Sequence, residues 1–119
     1  MNYKFEKYNY FDERDNTNKS TSLIFIENED KYGVYFSTEI KNLNINYLND
    51  IVNSLEQILQ GELQYYEFGY EAYSIECKND ISSIIDIYNN YESITEISTQ
   101  EIYEFIRDWR NHLITNPDT

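Results

Sequence analysis

Between Asn42 and Gln60 the apolar residues Leu48, Ile51, Val52, Leu55, Ile58 and Leu59 recur at spacings of three and four, one stripe of an amphipathic helix. Gly61 follows, where a helix C-terminus favours a left-handed residue. A second stripe, Ile102, Phe105, Ile106, Trp109 and Leu113, marks a helix near the end of the chain. Ser98 and Glu101 have capping-box spacing at its start, and Arg107, Arg110 and His112 fall in its later turns, where cations complement the dipole.

Elsewhere the pattern changes to short aromatic and β-branched runs. Asn2 to Phe11, Ser22 to Glu27 and Tyr32 to Ser37 read as strands, the last two joined as a hairpin through Asn28 to Lys31. The polar run Asp12 to Thr21 contains no apolar residue and reads as an exposed loop. Leu63 to Phe68 and Glu71 to Cys77 are strands joined by a Gly69-Tyr70 turn, or one long strand bent at Gly69. Ile81 to Tyr88 also fits helical spacing, but its length and four isoleucines favour a strand, and Ser93 to Ile97 adds a short edge strand.

This order, βββα, then two to four strands, then α, predicts a single α+β domain over residues 1–119. A mainly antiparallel sheet carries two main helices, with a tail over 115–119. At 119 residues the chain is long enough to bury a core without disulfides or a structural metal. Its single cysteine, Cys77, fits a small buried hydrophobe. No window approaches the roughly 18 apolar residues of a membrane span, and the N-terminus lacks the apolar core of a signal peptide, so a cytoplasmic location is expected.

Charge narrows the function classes. The net charge is −13, and it is uneven: residues 1–41 hold eight acids and six bases, whereas residues 42–106 hold twelve acids and one base, Lys78. Such a chain does not suit direct binding of nucleic acid or anionic membranes, because lysine and arginine supply most of that affinity.

Catalytic patterns are absent from the sequence. His112 is the sole histidine, which leaves no Cys/His zinc cluster, and no GxGxxG, GxxxxGK[ST] or GxSxG occurs. Glu67 with Glu71, or Glu76 with Asp86, form candidate acid and base pairs if they converge across strands, but 22 acids produce such pairs by chance. No cofactor, metal site or enzymatic activity is expected.

The span Gly61 to Cys77 stands out, with Tyr65, Tyr66, Tyr70 and Tyr73 interleaved with Glu62, Glu67, Glu71 and Glu76 and no base among them. Alternation puts Tyr65 and Glu67 on one face and Tyr66 and Phe68 on the other. One face packs on the helices, through cross-strand pairs such as Tyr66 with Tyr73, and the other shows phenols beside carboxylates. Carboxylates on a rigid sheet imitate phosphates, and exposed tyrosines anchor interfaces, so this face suits a protein that grips RNA or DNA. The expected partner-binding residues are Tyr65, Glu67, Tyr70, Glu71 and Glu76, with Asp86 and Glu92 as outlying charges.

In its size, acidity, element order and aromatic final helix (STQEIYEFIRDWRNHLI), the chain resembles the immunity proteins of bacterial polymorphic-toxin systems, including contact-dependent growth inhibition. The resemblance implies a non-enzymatic inhibitor that binds the C-terminal domain of a cognate toxin and occludes its active site or a nearby surface. A basic nuclease as the toxin accounts for the acidity. The alternatives are a phage-encoded nucleic-acid mimic acting on a restriction or CRISPR nuclease, and a small carboxylate-dependent enzyme.

Overall fold

A computed structural model describes residues 1–27 and 35–117. Two strands, β1 (Tyr3–Asp12) and β2 (Thr17–Ile26), form an antiparallel hairpin. Helical turns over Tyr35–Glu39 and Ile40–Asn42 lead into α1 (Ile45–Leu59). A four-stranded meander follows, β3 (Tyr66–Gly69), β4 (Tyr73–Cys77), β5 (Ile81–Asp86) and β6 (Glu92–Ser98), and α2 (Thr99–Thr115) completes the fold. The domain is thus α+β with two main helices, as the hydrophobic pattern predicts, but the described strands form two antiparallel sheets where one was expected.

The end of α1 and the start of α2 form where the sequence places them, while α1 begins at Ile45 rather than Asn42 because a tighter turn occupies Ile40–Asn42. Asn44 caps α1 by accepting from the Tyr47 amide, and Ser98 caps α2 by accepting from the Glu101 amide. Gly61 takes φ +80° beyond α1. The Glu101 carboxylate, which also faces the Ser98 backbone as a capping box requires, binds the N-terminal ammonium at 2.7 Å and so pins the start of β1 to α2.

Ile51, Leu55, Ile102, Phe105, Ile106 and Trp109 are fully or almost fully buried between the helices and the sheets. The meander contributes Phe68, Ile75, Cys77, Ile84 and Ile97 from one face. Burial pushes the Cys77 thiol up to about 12, so it is an inert apolar residue. Ile24 and Ile26 of the hairpin cover the opposite side, and Tyr3 and Phe5 close on Phe105 and Trp109 at centroid distances near 5 Å.

Three local expectations change. The polar run is not a loop throughout: only Glu13–Asn16 turns, and Thr17–Thr21 is strand, because pairing with Tyr8–Asp12 satisfies its backbone whatever the side-chain polarity. Of the strand expected over Tyr32–Ser37, Tyr32 to Val34 lie outside the described residues, and Tyr35 to Ser37 belong to a helical turn. The expected hairpin loop Asn28–Lys31 lies outside them too. Finally, β3 and β4 are a hairpin with a turn over 70–72, and Tyr66 faces Cys77 rather than Tyr73, which instead meets Tyr35 edge-on.

The hairpin also shapes the molecule. The radius of gyration is 15.2 Å, against about 13.5 Å expected for a compact domain of this length, and the long axis is 48 Å. The distal half of β1 and β2 extends beyond α2 as an arm that exposes Tyr8, Tyr10 and Phe11. At its tip Asp12 accepts from Arg14 and Lys19, which hold its carboxyl down at about 2.

Candidate acidic docking surface

The meander has one face on the helices and one open face, and strand alternation decides which side chains reach each. On the open face a single transverse row runs through all four strands. Glu67 of β3 lies opposite Glu76 of β4, Glu76 opposite Ser83 of β5, and Ser83 opposite Glu96 of β6. Directly opposed like charges destabilise a sheet, and this row has two carboxylates in contact register and a third two strands further on. No lysine or arginine interrupts it.

Tyr65, just before β3, donates to Glu67 Oε2 at 2.8 Å and is 45% exposed. Partial desolvation, then this hydrogen bond and the nearby Glu67 and Glu76 charges, push its phenol well above its usual range. It stays a protonated donor across physiological pH. Beside the row lies an open groove of about 610 Å³ bounded by Gln64, Glu76, Lys78, Ile81, Ser83 and Glu96. Ile81 and Ile94 are exposed apolar residues next to the carboxylates.

The remaining expected residues cluster at one end of the same sheet. Tyr70 and Glu71 occupy the β3–β4 turn, and Asp86 and Glu92 face each other where β5 turns into β6. The two turns are joined by the Ile87 amide donating to the Ala72 carbonyl. Asp86 accepts from the Tyr88 amide and Glu92 from Asn89 Nδ2, so both serve the turn in which they sit. Asp86 is half-buried, with the alternation of the helix-facing side. The expected set therefore divides into a face (Tyr65, Glu67, Glu76) and a loop end (Tyr70, Glu71, Asp86, Glu92). The suggested pairs of Glu67 with Glu71 and Glu76 with Asp86 do not form as cross-strand neighbours, because the register sets Glu67 against Glu76 and Asp86 against Tyr73.

Sequence reasoning missed several members. Glu96 completes the row, but its place depends on the β5–β6 register, which shifts at an irregularity between Ile84 and Ile85. Tyr88 and Tyr91 are the most exposed large hydrophobic residues among those described, at 80% and 73%, and both sit in the β5–β6 turn. Tyr91 has φ +56°, a left-handed conformation that is unfavourable for a bulky residue. The doublet Asn89-Asn90 favours a turn between the strands but carries no information on which ring it projects.

Glu39 was also missed. This buried carboxylate accepts the Glu71 amide through Oε2 and the Ala72 amide through Oε1, both at 2.9 Å. It fixes the turn that carries Tyr70 and Glu71 from beneath.

The other candidate chemistry is structural. His112 Nε2 lies 2.9 Å from the Oγ of buried Ser22, and the imidazole stacks on Trp109. Among the described residues no three His, Cys, Asp or Glu side chains gather as a metal-binding cluster. No helix of the described residues is long and apolar enough to cross a membrane. No protein-family model matches the chain, and neither curated proteins nor solved structures show significant similarity to it.

Proposed function

We propose that the protein is a stoichiometric inhibitor, an immunity protein that binds the catalytic domain of a cognate toxin, probed best as a basic nuclease. The observation that carries this reading is the uncompensated row Glu67–Glu76–Ser83–Glu96 across the open face. A structural role would favour opposite charges or β-branched residues at those positions, because opposed carboxylates oppose sheet formation. A partner supplying lysines and arginines converts the same repulsion into attraction on binding.

Two further features support it. Tyr65, Tyr70, Tyr88 and Tyr91 are exposed rings beside the carboxylates, the residue type that anchors interfaces at low entropic cost. Tyr91 is held at positive φ and Glu39 braces the neighbouring turn, so the loop end is preorganised at a cost to the free protein. The groove on this face that gathers Glu76, Asp80 and Glu96 is open rather than enclosed, a shape that suits docking of a protein surface.

The test is co-purification with the product of the adjacent gene, followed by assay of that product's nuclease activity with and without this protein. Stoichiometric complex formation with loss of nuclease activity supports the reading. Binding that is unchanged in the double variant Glu67→Lys/Glu76→Lys would place the interface elsewhere, and no affinity at all would refute the function.

A further inference from the structure

The arm is not used by the docking surface, and its edges differ. Among the described residues β1 has one neighbouring strand, β2, while β2 is also flanked by the helical turn at Tyr35–Glu39. β1 is thus a ten-residue edge without proline or bulge, whereas the edges of the meander are a four-residue strand and an irregular one. Proteins usually blunt long regular edges, since these template pairing with another chain.

The geometry points to a second copy of this chain as the occupant, through antiparallel β1–β1 pairing about Tyr8. The Glu27 amide donates to the Asn2 carbonyl, so the even residues of β1 direct their backbone groups to β2 and the odd residues direct theirs outward. A two-fold pairing must therefore set odd residues opposite odd, which centres it on Glu6, Lys7, Tyr8, Asn9 or Tyr10. Centring on Glu6 or Lys7 opposes each to its own copy. Centring on Asn9 opposes Glu6 to Asp12. Centring on Tyr10 leaves only Tyr8–Asp12 within the strand.

Centring on Tyr8 overlaps nine residues, Lys4 to Asp12, with no like-charge pair. It places Lys4 against Asp12, Glu6 against Tyr10 and Phe5 against Phe11. Tyr8 meets its copy in a non-hydrogen-bonded pair, where side chains approach most closely. Phe11, 53% exposed in one copy, then extends the ring cluster of Phe5 and Trp109 in the other.

Charge supports the same arrangement. Residues 1–27 carry five acids and four bases, so the arm is nearly neutral in a chain of net charge −13. Antiparallel arms direct the two acidic meanders away from each other across the two-fold axis, which limits their mutual repulsion. The open face of the meander stays free for its own partner.

The experiment is light scattering across a dilution series, with single-cysteine cross-linking. Wild type is expected at twice the 14.4 kDa of one chain. Tyr8→Glu, which opposes two carboxylates on the axis, should raise the dimer dissociation constant about tenfold or more with an unchanged circular dichroism spectrum. Tyr8→Cys should oxidise to a disulfide-linked dimer, since such pairs lie within disulfide reach and native Cys77 is buried. Thr21→Cys, on the β2 side, should not. A monomer at every concentration, a dimer indifferent to Tyr8→Glu, or equal cross-linking through Thr21→Cys would each overturn the proposal, the first assigning this edge to some other partner.

Discussion

Replacing Glu76 by glutamine should stabilise the free protein. Glu76 is half-buried in β4, directly opposite Glu67, with Glu96 two strands away on the same row. Opposed side chains place their Cβ atoms about 5 Å apart, and two unit charges at that distance in water repel by about 0.8 kcal/mol. Partial burial raises this figure and salt lowers it, so a gain of about 0.5–1 kcal/mol is expected for Glu76→Gln at low ionic strength. Unfolding by urea at low and high salt measures it directly, as a higher midpoint with an unchanged slope. The advantage should shrink as salt rises, because screening relieves wild type more than the variant. A destabilised variant, or a gain independent of salt, would show that the row carries no repulsion and would remove the main support for a charge-driven docking face.

Other consequences follow from individual contacts. Glu39→Ala should cost about 1–3 kcal/mol by urea unfolding, because the Glu71 and Ala72 amides lose their acceptor, while Glu71→Ala at the exposed surface should fall within about 0.5 kcal/mol. Gly69→Ala should lose about 1–3 kcal/mol or fail to fold, since a Cβ there would overlap the Tyr73 carbonyl oxygen. Tyr91→Gly should relieve the left-handed strain and raise stability by about 1 kcal/mol in thermal melts while weakening the proposed complex. Asp12, held near 2 against an ordinary 3.8, stabilises the arm tip above pH 3.8, and this contribution disappears as pH falls through about 2. NMR of the Arg14 and Tyr10 resonances should report that loss in wild type and not in Asp12→Asn.

The elements legible in the sequence are those whose burial pattern is strong and local. Both helices show a stripe of branched and aromatic residues, with Ser98 capping α2 and left-handed Gly61 following α1 as expected, and packing against the sheets honours it. Tyr66 and Phe68 turn inward and Tyr65 and Glu67 outward because alternation is a property of one strand alone. Register is not, since it depends on which strand arrives beside which. That is why Glu96 was not placed in the row and Tyr73 was paired with Tyr66. β2 was read too short for a related reason: Thr17 to Thr21 carries no apolar signal, and its strand conformation comes from partners in β1. The Glu39 brace could not be read at all, because it links residues more than thirty apart through backbone amides.

The central claim is that the open acidic face docks a basic protein. It is tested most directly by the association rate of this protein with the product of the adjacent gene, the proposed toxin, measured by stopped flow as a function of ionic strength. An interface led by Glu67, Glu76 and Glu96 predicts rates approaching 10⁸ M⁻¹s⁻¹ or more at low salt that fall steeply as salt rises, and a Glu67→Lys/Glu76→Lys variant nearer the unsteered range of about 10⁵–10⁶ M⁻¹s⁻¹. A rate that is insensitive to salt and equal in wild type and variant would contradict it.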